Sequence, residues 1–136
     1  MPVVAGTGMV APATLELVDA EDLAGVYSTA DTILGEAVSP ASADFVKRYT
    51  AQFKMRPDSF GTSYYDAALM LAEALRKVGT DPEKLRAHFT SLKDFKGMAR
   101  NYSNDAATNN MAHSVVLVAF KPGTKEFVGV AVYPKP

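Results

Sequence analysis

The reactive inventory of this 136-residue chain is small: two histidines, fifteen carboxylates and no cysteine. The lack of cysteine excludes disulfides, Fe–S clusters, thiolate zinc sites and cysteine nucleophiles. His88 falls in a helical stretch near Arg86, and His113 just before a β-prone run. Neither has a second ligand at metal spacing on its own element, so both read as surface or hairpin-edge histidines. A serine nucleophile on a strand-to-helix elbow needs Gly-x-Ser-x-Gly, which is absent. Gly6-Thr7-Gly8 after Val3-Val4-Ala5 invites a phosphate-loop reading. A dinucleotide fingerprint, however, needs a third glycine where Ala11 stands, and no Gly-Lys-Ser or Gly-Lys-Thr ending occurs. The glycines read more simply as turn residues, which also let a ligand approach the backbone closely. Nothing in this inventory assembles a catalytic constellation, so no enzyme activity, cofactor or metal is expected.

A second cluster concerns recognition. Phe60-Gly61-Thr62-Ser63-Tyr64-Tyr65-Asp66 concentrates aromatics at a loop-to-helix junction. In the plain reading Tyr65 packs inward and Phe60 staples the helix start. In the functional one, an aromatic faces a cleft and covers a ligand. Asn101-Tyr102-Ser103 matches a glycosylation sequon, a triplet that arises often by chance.

The elements that must position these residues come from a chain of ordinary soluble composition, 48% hydrophobic and 21% charged. Its length suits one domain or a piece of a larger one. No apolar run reaches the roughly 20 residues of a membrane-spanning helix. The net charge of −1 argues against a nucleic-acid partner, which calls for a basic patch. Charge is uneven, with six acids and no Lys or Arg in residues 1–40, and the basic residues beyond are scattered. Met1 to Gly6 lacks the basic and apolar regions of a signal peptide. Either the protein is cytoplasmic or its native start lies upstream.

Periodicity predicts a buried strand at Val3–Ala5, a short helix over Pro12–Val18 and a strand at Gly25–Thr29. A helix capped by Ser42 follows, burying Phe45, Tyr49 and Phe53, with Asp44 and Arg48 paired on its wet side. Arg56-Pro57-Asp58 ends it. The next helix is expected from Thr62 or Ser63 to Val78, closed by Gly79, with Tyr65, Ala68, Leu69, Ala72, Leu75 and Val78 inward and Glu73 and Lys77 outward. Thr80-Asp81-Pro82-Glu83 opens a third, burying Leu85, Phe89 and Leu92. Residues 94–112 read as irregular. Ser114–Phe120 and Glu126–Tyr133 form a hairpin around Pro122-Gly123. The pattern is α/β, with too few strands for a complete doubly wound sheet.

The order of landmarks carries a resemblance. Gly6-Thr7-Gly8, Gly25-Val26-Tyr27, Phe45-Val46-x-x-Tyr49, Pro57, Tyr65-Asp66-Ala67-Ala68, Ala74-Leu75, Gly79, Phe95-x-Gly97 and the final hairpin follow one another. This succession resembles the C-terminal part of the leucine/isoleucine/valine-type (type I) periplasmic solute-binding proteins of ABC importers. It covers about Gly6 to Tyr133, and the Tyr-Asp-Ala helix is its best motif.

The resemblance implies a fold of two three-layer α/β/α lobes joined by three crossovers and closing on a small molecule. Residues 1–29 would be the end of the second lobe and a crossover, residues 30–112 the C-terminal helical part of the first lobe, and residues 113–136 returning strands. It implies ligand-binding positions at Thr7, Gly8, Met9 and Phe60. The family's amino-acid binders place an acid at the position of Gly8, where it meets the ligand's ammonium. A buried ammonium without a counter-charge is costly. An aromatic or other organic carboxylate is therefore expected rather than an aliphatic amino acid, unless a residue outside this chain meets the amine. An ABC permease as partner and a periplasmic location follow from the same resemblance. A sensing domain of a receptor with this fold, and a small stand-alone α/β enzyme, are the alternatives. Taken alone, the chain is expected to expose apolar edges and faces and to self-associate.

Overall fold

The structure, a computed structural model, describes residues 1–34 and 39–133. β1 (Val3–Ala5) leads into a 3₁₀ turn (Thr7–Val10) and α1 (Pro12–Glu16), whose first position is Pro12. A second 3₁₀ turn (Ala20–Leu23) and Gly25, at φ 75°, deliver the chain to β2 (Val26–Ala30). In β2 Val26, Ser28 and Ala30 are buried and the residues between them half-buried. That alternation marks a strand with one face in the core.

α2 (Pro40–Phe53) and α3 (Ser59–Val78) follow, then α4 (Pro82–Thr90). Their caps set the boundaries. Ser39, not Ser42, caps α2: its Oγ accepts from Ser42 N at 3.0 Å while Pro40 takes the first helical position. Ser42 itself is buried. α2 closes on Lys54, which adopts a left-handed conformation at φ 60°. Asp58 caps α3, accepting from Gly61 N at 2.7 Å, so this helix starts three or four residues earlier than its apolar period suggests. Asp81 Oδ1 accepts from both Glu83 N and Lys84 N at 3.0 Å and opens α4 as expected.

Residues 94–112 are not irregular. They form a meander of β3 (Phe95–Lys96), β4 (Asn101–Asp105) and β5 (Asn110–Ala112). These strands are short and polar, so side-chain alternation hides them. The hairpin is present as β6 (Val115–Phe120) and β7 (Phe127–Tyr133). Gly123 at φ 68° makes its turn, closed by Lys121 N donating to Glu126 O at 2.8 Å.

Two sheets result. One has the order β1-β2-β6-β7, with β1 parallel to β2 and the other pairs antiparallel; the second is β3-β4-β5. The core of the first gathers Val10, Leu23, Val26, Ala30, Val118 and Phe120, with Met9, Leu15, Val18 and Ile33 packed against it. Against expectation, β1 is an exposed edge strand, Val4 being 71% accessible. A separate aromatic cluster joins the helices, Phe45 lying 4.8 Å from the Tyr65 ring and 5.8 Å from that of Tyr49. Phe53 is exposed, so the buried stripe of α2 is shorter than its spacing suggests.

The inner face of α3 also differs from expectation. Ser59, Thr62, Asp66, Met70 and Ala74 are buried, whereas Ala68, Leu69 and Leu75 are exposed. The helix turns a largely polar stripe inward, and of the apolar stripe that periodicity singles out Tyr65, Ala72 and Val78 are half-buried while the other three stand open.

Candidate functional site

The four sequence-derived binding positions fall on two elements. Thr7, Gly8 and Met9 occupy the 3₁₀ turn after β1, which is fastened to β2: Thr7 Oγ1 lies 3.3 Å from Thr29 Oγ1, and Ser28 Oγ donates to Gly6 O at 2.8 Å. Met9 packs on the core, while Gly8 is exposed and has open space where a side chain would begin. Phe60 sits in the first turn of α3, 41% exposed.

Between these elements runs a cavity of about 560 Å³. Val10, adjacent to Met9, lines it on one side and Ser59, adjacent to Phe60, on another. None of Thr7, Gly8, Met9 and Phe60 lines it directly, so the structure brings their neighbours together and not the four residues themselves. Its charged lining includes Arg56, Asp58 and Glu126. Glu126 accepts from Lys121 Nζ at 2.7 Å, which holds its carboxyl below the usual range. A second cavity opens beside Asp31, Arg100 and Ser114 over β7, and Thr32, Ile33 and Phe127 line both. The residues leaving β2 therefore form part of the wall of each.

The most heavily bonded side chains lie beside these cavities, and residue spacing does not reveal them. Asp66, fully buried on α3, accepts from Met98 N at 2.8 Å and from the Tyr102 hydroxyl at 3.0 Å. Tyr102 in turn accepts from Arg100 Nε at 2.7 Å. Arg100, only 7% exposed, also donates to the Asp31 carbonyl at 2.5 Å and to Ser63 Oγ. Burial pushes the Tyr102 phenol above its ordinary pKa, and the bond from Arg100 opposes that rise. The neutral hydroxyl thus carries a proton between a carboxylate and a guanidinium. Asp66 is visible in the sequence as part of Tyr-Asp-Ala, but its partners sit in the tract that reads as irregular.

His88 lies on α4 with its ring edge-on to Phe89, and His113 beside Tyr102, so the two histidines belong to different elements. Among the described residues no group of three or more His, Cys, Asp or Glu side chains is placed to hold a metal ion. Among the same residues no helix is long and apolar enough to cross a membrane. Asn101 of the sequon is exposed at the start of β4.

The arrangement of two sheets, linked helices and a cavity between them has counterparts. The profile of the family described as periplasmic binding protein matches residues 1–125. The chain belongs to the periplasmic binding protein family. Solved periplasmic binding proteins share its fold. The leucine binding protein LivK from Thermotoga maritima superposes with a TM-score of 0.74 at 24% identity, over 95% of this chain and 36% of its own. The branched-chain amino acid substrate binding protein LivJ from Streptococcus pneumoniae, in complex with isoleucine, gives 0.77 at 22% identity, over 95% and 37%. A solute binding protein of an ABC transporter from R. palustris, in complex with benzoate, gives 0.63 at 22%, over 85% and 33%. A search of curated proteins gives no match. The mixed α/β chain therefore matches part of the type I periplasmic binding fold and spans about a third of the length of these structures. The proteins it resembles are named for binding and transport, not for catalysis.

Proposed function

We propose that this chain forms the C-terminal third of a two-lobe solute-binding protein that closes on a small organic carboxylate for an ABC transporter outside the cytoplasm. The observation that carries the reading is the pairing of β2 with β6, from Tyr27↔Ala119 to Ala30↔Val116. The chain leaves the four-stranded sheet after β2, builds α2 to α4 and the meander, and returns alongside itself in β6. Two adjacent crossovers between two bodies are what hinge closure needs. In this reading residues 1–29 end one lobe, residues 30–112 belong to the other, and residues 113–136 return to the first.

Ligand class follows from position 8. Gly8 brings no carboxylate to the turn, and its backbone stands open. Position 8 itself offers an ammonium no counter-charge and leaves room for a ring that can lie against Phe60, while the carboxylate of an aromatic acid would be met by donors such as Arg56 of the cavity lining. Closure arises because the ligand touches both lobes and so binds the closed state more tightly. Titration calorimetry of the protein that carries this chain, with benzoate and with leucine, tests the reading. Heat of binding with benzoate and none with leucine is expected; leucine binding more tightly than benzoate overturns the ligand class, and binding of neither overturns the function.

A further inference from the structure

The connection from β2 to α2 is fastened at both ends to one short turn. At its start the carbonyl of Asp31, the first residue after β2, accepts from Arg100 Nη1 at 2.5 Å. At its end Ser39, the cap of α2, places its Oγ 3.4 Å from the carbonyl of Met98. The turn that supplies both partners, residues 97–100, is itself held down. Gly97 N donates to Arg100 O at 2.9 Å, and Met98 N donates to buried Asp66 on α3. Gly97 is pressed so tightly against Asp66 and Tyr102 that no larger residue fits.

Arg100 is the centre of this fastening. One guanidinium reaches the exit of β2, Ser63 on α3 and the Tyr102 hydroxyl on β4, three segments far apart in sequence. Among the described residues it makes no direct ion pair, and the Asp66 carboxylate is reached through that hydroxyl. A planar fork can donate in three fixed directions at once, which a lysine ammonium on a single stem cannot reproduce. A buried cation spent entirely on neutral acceptors is expensive unless the geometry it imposes matters.

We propose that Arg100 is a positioning residue for lobe closure: by clasping Asp31 to α3 it moves the crossover with the helical lobe and places the pivot on the β2 side of Asp31. This rests on the solute-binding reading above. A rotation at Asp31 or within residues 32–34 would carry Arg100 away from the Asp31 carbonyl and break that bond. Bending at the end of the β2–β6 pair, in contrast, leaves every bond of the clasp in place.

The test compares wild type, R100M, R100K and Y102F in the protein that carries this chain. D81A, which weakens the cap of α4 without touching any bond of the clasp, serves as a control. Local opening is read by amide exchange at Gly97 and Met98 and by thermolysin nicking before Ile33 or Leu34, both of which follow the population of opened states. R100M is expected to speed both by at least tenfold and to weaken benzoate binding by a similar factor. R100K is expected to recover less than half of either loss, and D81A to leave both unchanged. Should R100M fail to fold, R100K and Y102F carry the same comparison. Unchanged opening at residues 31–34 in a folded Arg100 variant overturns the clasp whatever the protein binds. Faster opening with unchanged benzoate affinity overturns the role in closure. Faster opening in R100M, in a protein whose wild type binds none of the acids, overturns the solute-binding reading and leaves the clasp standing.

Discussion

Gly97 lies against Asp66 so closely that a β-carbon on it would stand 2.3 Å from Oδ2 and 2.7 Å from Cγ. The same β-carbon would meet Tyr102 Cε2 at 2.7 Å. Neither neighbour can yield, since Asp66 is held by two hydrogen bonds and Tyr102 by a bond on each side. G97A is therefore expected to lower stability by about 2 kcal/mol, the usual scale of overpacking. G8A is its counterpart: a β-carbon there meets nothing within 4 Å. It should change stability by less than about 0.5 kcal/mol. Urea denaturation of both variants checks the pair; equal midpoints would show that the turn accommodates a methyl group.

Tyr102 should give the protein an alkaline limit. Its phenol is pushed up chiefly by burial, so the folded state favours the neutral form more than the unfolded chain does. An acid whose folded pKa is raised contributes stability that is complete below its unfolded value, about 10, and is lost as pH rises through the folded value. Wild type is expected to lose stability more steeply above pH 10 than Y102F does. At neutral pH Y102F, which strips one bond each from Asp66 and Arg100, should cost about 2 kcal/mol. Thermal melts at neutral and alkaline pH measure both effects. A Y102F curve parallel to wild type above pH 10 contradicts the first.

Asp81 reaches two backbone amides of α4 from the surface. D81A is expected to destabilise by about 1 kcal/mol and D81N to retain most of that, because the cap needs an acceptor more than a charge. Chemical denaturation of the two variants separates the contributions.

Phe60 tests the ligand reading with little structural cost. Half-exposed in the first turn of α3, it can be truncated without opening a cavity in the core. F60A is expected to keep the wild-type melting temperature and to weaken benzoate binding about tenfold, the worth of one aromatic contact. Unchanged affinity in a folded variant removes Phe60 from the site.

Legibility in the sequence followed the physics of each element. The hairpin β6–β7 announces itself because its strands are long and apolar and its turn holds Pro-Gly. α4 is equally plain, with Asp81 and Pro82 in the order a helix start favours. The start of α3 is hidden because Ser59, Phe60 and Gly61 carry no apolar period, and only the Asp58 side chain defines it. The meander is hidden for a related reason. β4 buries Tyr102 and Asn104, and one of those inward residues is polar. The site divides in the same way. Thr7 to Met9 and Phe60 are proposed through resemblance alone; the cavity is lined by their neighbours Val10 and Ser59 and by none of the four. The Asp66–Tyr102–Arg100 chain is illegible, because its members lie on α3, on β4 and in the turn before it, which only the fold brings together.

One further property follows from the way β6 is paired. Against β2 its register runs unbroken through Leu117 and Val118, whereas against β7 it shifts between those two residues, leaving Val130 without an opposite number. A bulge of this kind adds local twist and takes up misfit. The inner strand pair thus runs through as one continuous ribbon, while the outer strand bends and coils away from it at Val130.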